Sequence, residues 1–198
     1  MKDKTNEISM KEKIKNKAFA LMAKKGLKDI SMREIAEACG VTKPVLYYYF
    51  KDKEDLCYSL IVEKNVVSNE NLKKFAASGA SFEEILVFIF SEYVQDVSHK
   101  DVFPFVIHVS SYLLSNPDLG KRFKTVKEQN FAVISGILEK EYKKETITKK
   151  GKEMALHLIF ANIAHLILNS CEHAIKISPS YPKDMARAIL KAIDYREK

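Results

Sequence analysis

Glycine and proline are scarce in this chain, six and five among 198 residues, and chain-reversing turns have correspondingly few places to form. No alternating apolar and polar run bounded by turn residues reads as a strand. Cysteine is rarer still. Cys39, Cys57 and Cys171 are odd in number and far apart, and no Cys-x-x-Cys pair or Cys/His ligand spacing occurs. A disulfide framework and a zinc site are therefore not expected, and the thiols read as buried and reduced. Long hydrophobic runs are missing too. The most apolar stretch, Leu156 to Leu168, is broken by His157, Asn162 and His165 and is too short to span a bilayer. Met1 to Glu12 is highly charged and has no apolar centre, which does not suit a secretion signal. A cytoplasmic protein without a membrane partner is expected.

What is present describes an ordinary globular chain, 46% apolar and 30% charged. A formal charge of +7 and a pI near 9.1 allow an anionic partner, either nucleic acid or a membrane surface. Almost every long segment has helical periodicity, and the helix starts are legible. Ser9 with Glu12, Ser31 with Glu34, and Ser81 with Glu84 have the capping-box spacing, and Asp52 with Asp55 is a weaker version. Asn116-Pro117 and Tyr181-Pro182 read as a cap followed by proline in the first turn. These signals predict about nine helices, near 9–25, 32–39, 43–49, 53–77, 82–98, 101–115, 117–143, 148–176 and 182–195. Gly26, Gly40, Gly79 and the Ser178–Pro182 stretch separate them.

Two of these helices, 32–39 and 43–49, are too short to be stable alone and need neighbours to rest on. In the first, Ile35, Ala36 and Cys39 make a narrow inner stripe, and Ala36 allows a second helix to cross closely. Gly40 stands where the chain leaves that helix with positive φ. Val41 then plugs the gap, and Thr42 is placed to cap the second helix. In that second helix, Leu46 and Phe50 share one inward direction, while Pro44 and Tyr48 point almost opposite, flanked by Val45 and Tyr47. An outward face of tyrosine and small apolar residues suits a recognition helix. Tyrosine can donate to phosphate and lay its ring on sugar or a thymine methyl, and Lys43 can reach phosphate or a guanine edge. Arg33 can fork onto guanine or phosphate, and Lys53 heads a helix whose N-terminus favours phosphate. The bland alternative is a compact three-helix unit with its tyrosines against the protein.

The run from Ile14 through Leu56 resembles the DNA-binding domain of the TetR family of regulators. The matching residues are Ala18, Leu21, Gly26, Ser31, Arg33, Ile35-Ala36, Gly40-Val41, Leu46-Tyr47-Tyr48-Tyr49-Phe50 and Lys53-Glu54-Asp55-Leu56. The resemblance covers about a quarter of the chain. It implies DNA contacts from Arg33, Thr42, Lys43, Tyr47, Tyr48, Tyr49 and Lys53, with Pro44 on the same face. There are three departures from the family pattern. Tyr49 stands where histidine is usual, Pro44-Val45 where Gly-Thr is common, and Ile30 where threonine is common. The first two alter the reading face, so no operator sequence carries over.

Beyond residue 57 the similarity fades. Ile85 to Phe90 is apolar all round and predicts a helix central to the rest of the chain. With the aromatic segment C-terminal to it, this helix could bound a pocket lined by Phe90, Tyr93, Phe105, His108, Tyr112, Phe160 and His165, or could simply fill a bundle core. Asn162, His165, Asn169 and His173 share one face of their helix. That stripe suits a ligand row, a dimer seam or a solvated edge. Dimerisation through the helices near 148–176 and 182–195 is implied by the resemblance, and Met185, Ala188, Ile189, Ala192 and Ile193 are compatible with it.

The expectation is thus an all-α chain, with a helix-turn-helix DNA-binding domain over 1–55 and a ligand-sensing and dimerisation domain over 56–198. It would act as a homodimeric repressor, released from a near-palindromic double-stranded operator by a small-molecule effector. No catalytic residue, metal or cofactor is assigned. A helical enzyme or a protein-interaction adaptor is the alternative, although no nucleophile, metal or phosphate-loop motif gathers the available side chains.

Overall fold

The computed structural model describes residues 4–169 and 177–197. Among the described residues there are nine helices and no strand: α1 (Lys4–Lys25), α2 (Met32–Cys39), α3 (Lys43–Tyr49), α4 (Lys53–Ala77), α5 (Phe82–Val97), α6 (Val102–Leu114), α7 (Pro117–Lys143), α8 (Lys149–Asn169) and α9 (Tyr181–Ala192). The expected all-α class is what the chain adopts. Cys171, His173 and the end of the predicted 148–176 helix lie outside the described residues, as does the side chain of Asn169.

The local signals mostly act where the sequence puts them. Ser31 and Ser81 each accept from the N–H three residues on, and Glu34 and Glu84 reach back to complete both capping boxes. Asp52 accepts from the Asp55 N–H at 2.7 Å, and the Asp55 carboxylate accepts from the Lys51 N–H at 3.2 Å. Ser9 is different. α1 begins at Lys4, so Ser9 lies inside the helix and not at its cap. Nothing in Thr5–Ile8 breaks a helix, and propagation is favourable once a turn exists. Thr42 sits at the N-cap of α3 but makes no side-chain cap bond. Pro44, in the first turn, removes one of the two N–H groups that such a cap would use.

The chain forms two compact units. The first takes the described residues up to Lys64 together with 101–124; the second takes 65–100 and the described residues from 125 onward. In the first unit the core joins Ile14, Ala18 and Met22 of α1, Ile35, Ala36 and Cys39 of α2, Leu46 of α3 and Phe50. Leu56 and Cys57 of α4, Phe105 and Val109 of α6 and Phe123 of α7 complete it. Burial pushes the Cys57 thiol up to about 12, which leaves it protonated and unreactive.

In the second unit α5 is central, as its all-round apolar sequence requires. Phe82, Ile85, Leu86, Ile89 and Phe90 are buried there against Ile159 and Ile163 of α8 and Ala186 and Ile189 of α9. Ile193 joins them. Ile189 and Ile193 therefore belong to the chain's own core, whereas Ala188 and Ala192 of the same predicted stripe face solvent. Asn130 of α7 bridges two asparagines of α4, accepting from Asn69 at 2.7 Å and donating to Asn65 at 2.5 Å.

These two kinds of stabilisation, core burial and helix capping, differ in size, and denaturant unfolding separates them. Leu86→Ala removes a fully buried side chain and is expected to cost about 2–5 kcal/mol. Ser81→Ala removes one exposed cap and is expected to cost about 1 kcal/mol.

Candidate nucleic-acid interface

The reading surface is built by what α2 and α3 bury. Gly40 ends α2 in the left-handed region, at φ 66°. Its N–H donates to Ala36 and Glu37, and the Val41 N–H reaches back to the Ala36 carbonyl at 3.0 Å. This closes the helix and turns the chain sharply into α3. Leu46 and Phe50 then point inward and are buried, so residues on the opposite side of a seven-residue helix face water. Tyr48 is 71% exposed and Tyr47 52% exposed, and Lys43, Pro44 and Val45 share that exposed surface. Tyr49 is half-buried. Its ring meets Tyr48 edge-on at 5.0 Å and lies 6.5 Å from the Phe50 ring, so it links the outer tyrosines to the core.

Thr42 is exposed at the head of α3, and its hydroxyl is not spent on a cap. Arg33 is exposed on α2, with Nε donating to Glu37 at 2.7 Å one turn away. Its guanidinium is held protonated first by that hydrogen bond and then by the carboxylate charge. An exposed pair of this kind exchanges readily for a phosphate. Lys53 is placed differently from the other predicted contacts. Its ammonium donates to the Lys28 and Ile30 carbonyls, both at 3.1 Å, in the segment between α1 and α2.

Several contacts that the sequence does not announce hold this head together. Lys25 pairs with Glu34 at 2.6 Å, tying the end of α1 to the start of α2. Lys11 and Lys15 both pair with Glu63 of α4. From α6, the His108 ring lies against Gly26, whose φ is +82°, and Nδ1 is 3.2 Å from the Met22 carbonyl. Tyr112 donates to Glu54 at 2.6 Å. From α7, Arg122 stacks on Tyr58 at 4.2 Å and pairs with Asp55 at 3.7 Å. The capping signal marked Glu34 as functional in folding, but no local pattern marks Arg122 or Glu63.

Of the seven residues expected to contact a ligand, Phe105, His108 and Tyr112 are in the first unit, and Phe90, Tyr93, Phe160 and His165 are in the second. Phe105 is buried with its ring 4.8 Å from Phe19. Phe90 is fully buried in α5, and burial pushes the Tyr93 hydroxyl above its ordinary range. Phe160 stacks on Phe131 at 5.7 Å, and His165 is exposed on α8. A surface groove of about 640 Å³ runs beside Phe75, Val87, Phe88, Lys183 and Arg187 in the second unit, and none of the seven lines it.

The matching family model, bacterial regulatory proteins of the tetR family, spans residues 14–58. Residues 14–58 match that family's model, and the match covers about a quarter of the chain. The span covers α1 from Ile14 onward, α2, α3 and the start of α4, the elements that build the exposed tyrosine face. The chain is 27% identical over 117 residues to the HTH-type transcriptional regulator AcrR of Shigella flexneri, covering 57% of this chain and 54% of that protein. It is 41% identical over 51 residues to an HTH-type transcriptional regulator of Staphylococcus aureus (strain USA300), covering 26% and 28%. The matched stretches thus span about half and about a quarter of those relatives. The fold is similar to that of the transcriptional regulator FadR of Bacillus subtilis, solved in complex with stearoyl-CoA. The TM-score is 0.75 at 20% identity, over 91% of this chain and 95% of that one.

The Glu34 contacts carry a pH signature within the helix-turn-helix unit. Its carboxyl is lowered from 4.5 to about 2, first by the Lys25 ammonium and then by the Ser31 N–H and hydroxyl. Because the folded value is the lower one, the contribution is whole above about 4.5 and fades as pH falls toward 2. Glu34→Gln is expected to flatten the acid limb of the stability curve in that window. Thermal unfolding as a function of pH checks it, and an unchanged limb would place the acid sensitivity elsewhere.

Proposed function

We propose that the chain is a ligand-responsive transcriptional regulator, acting in the cytoplasm and not an enzyme, that binds a near-palindromic DNA operator as a homodimer and represses until an effector releases it. The observation that carries the reading is the outward tyrosine face of α3. Tyr47 and Tyr48 are exposed beside Lys43, while Leu46 and Phe50 anchor the same helix from behind. Exposing two adjacent large aromatic rings to water has no folding benefit, and a DNA groove provides phosphate, sugar and base edges for them. Arg33, Thr42, Lys43, Pro44, Tyr47, Tyr48 and Tyr49 are the proposed contact set. The whole-chain likeness to FadR and the names of the relatives support a regulator.

The homodimer reading is supported by the outer face of α8. Met154, His157, Ala161, Ala164 and Leu168 are exposed at alternating spacings of three and four, with alanines at the middle and larger apolar residues at the ends. Ala188 and Ala192 of α9 are exposed as well. Such a face is self-complementary under a two-fold axis, and a two-fold pair presents two reading heads to a palindrome. Among the described residues no helix is long and apolar enough to cross a membrane.

For the effector we assign the second unit, around Phe90, Tyr93 and Phe160. Tyr93 brings a hydroxyl to an apolar cluster, with the Asp96 charge nearby, a combination that orients small ligands. Effector and operator then oppose each other through one coupling energy, of about 1–3 kcal/mol in typical cases.

Two measurements test the proposal. DNA fragments selected from a random pool by the purified protein give the binding site. Tyr48→Ala is then expected to weaken binding to that site by about tenfold or more, in the range of a lost base or phosphate contact, with an unchanged melting temperature. Equal loss of stability would make Tyr48 a folding residue and end the assignment. A small molecule carried through purification and identified by mass spectrometry is expected to lower affinity for the selected site by about 5- to 150-fold. An affinity indifferent to it would remove the sensing claim.

A further inference from the structure

Lys53, expected from the sequence to reach DNA from the head of α4, has its ammonium turned toward the protein. It donates to two nearby carbonyls, Lys28 and Ile30, immediately before the Ser31 cap of α2. The same ammonium lies 5.8 Å from the centroid of the Tyr112 ring, so the cation is held between an aromatic face on α6 and the segment between α1 and α2. The ring is itself fixed, because its hydroxyl donates to Glu54 at 2.6 Å. Glu54 adjoins Lys53 on α4, so tyrosine, carboxylate and ammonium form one compact cluster. Lys28 and Asp29 are exposed, and Ile30 is buried. Lys53 thus supplies a hydrogen bond to both carbonyls at once. The segment leads directly into α2, which carries Arg33 and whose far end sets the turn into α3.

We propose that Tyr112 of α6 is a positioning residue for the DNA-reading head, acting through Lys53 on the 28–31 segment that sets the start of α2. The inference rests on the DNA-binding reading for its consequence, but its first readout does not need DNA. The Glu54 hydrogen bond, aided by burial, pushes the Tyr112 hydroxyl up to about 12, so the donor remains a donor throughout the working pH range.

The test uses the full chain with Tyr112→Leu, Lys53→Met and the double variant, and it has two arms. In free protein, amide hydrogen exchange is expected to rise over residues 27–31 in all three variants, with exchange in α5 and α8 unchanged. No rise in Tyr112→Leu overturns the relay whether or not the protein binds DNA. In the second arm, affinity for the DNA fragment selected by the wild-type protein is expected to fall about fivefold to tenfold in each single variant, the size that one cation–π contact and its hydrogen bonds allow. The double variant is expected to fall no further, because both substitutions cut the same relay. Additive losses would mean that the two residues act separately and would overturn the proposal. A wild-type protein that selects no fragment defeats the DNA-binding reading, and the exchange arm still decides the relay. Should Tyr112→Leu fail to fold, Tyr112→Phe retains the ring and loses the Glu54 tether. It is expected to raise exchange over the same residues by a smaller amount, and no rise overturns the proposal.

Discussion

The reading head depends on the burial of two residues, Leu46 and Phe50, from a helix that cannot exist alone. Seven residues form fewer than two full turns, and a helix of that length has almost no intrinsic stability in water. α3 is held because those two side chains lock into a core already organised by Ile35, Ala36 and Cys39 of α2 and by Met22 of α1. Once that inner direction is set, the helical angle leaves no freedom for the others. Tyr47 and Tyr48 face outward as a consequence of where Leu46 goes. Function and folding are therefore opposite faces of a single packing decision, and the outer face can change while the inner one stays.

The turn at Gly40 is the second element of the same decision. A left-handed residue closes α2 and lets Val41 fold back on the core, which fixes the angle at which α3 departs. A side chain at that position would not collide with anything, since open space surrounds the missing Cβ. The requirement is thus in the backbone conformation alone. The segment on the other side of α2 is held by a different means, side-chain cations on backbone carbonyls. α2 is pinned at its start by Lys25, Lys53 and its own capping box, and at its end by backbone geometry.

How much of this was legible depends on the range over which each signal acts. Helix starts and inner stripes are encoded within four residues, and the bounds of α2, α3, α4 and α7 agree with the periodicity. Ser9 misled because a capping box marks a start only where the preceding residues resist helix, and Thr5–Ile8 do not. The roles of His108, Tyr112 and Arg122 were out of reach for another reason. Each depends on a partner fifty or more residues away, Met22, Glu54 and Asp55 respectively, and nothing in the local pattern of α6 distinguishes a pocket wall from a contact with the head. A division of the chain by sequence order has the same blindness. It cannot show that 101–124 packs with the N-terminal helices. The stripe on α9 shows the limit of periodicity in a milder form. Ile189 and Ile193 did mark a buried face, but the face is covered from within the chain, and the exposed alanines beside them are what remains for a partner.

The use of charge in the head bears on how it would read DNA. The chain carries a net +7, yet several cations nearest the helix-turn-helix are engaged internally. Lys11 and Lys15 serve Glu63, Lys25 serves Glu34, and Lys53 serves two carbonyls. The long-range field still favours an anionic polymer, since an ion pair inside the head leaves the net charge of the whole molecule unaltered. At close range the balance shifts toward aromatic contact, with Tyr47 and Tyr48 exposed and Lys43 as the cation on their own helix. Attraction to any DNA and discrimination among sequences would then come from different residues. The first belongs to the dispersed lysines and weakens with salt, whereas the second belongs to a rigid aromatic face held by Leu46 and Phe50 and depends far less on ionic strength. A head whose cations are committed to its own framework keeps its shape before it meets a phosphate, and that preorganisation is what a short, externally supported reading helix requires.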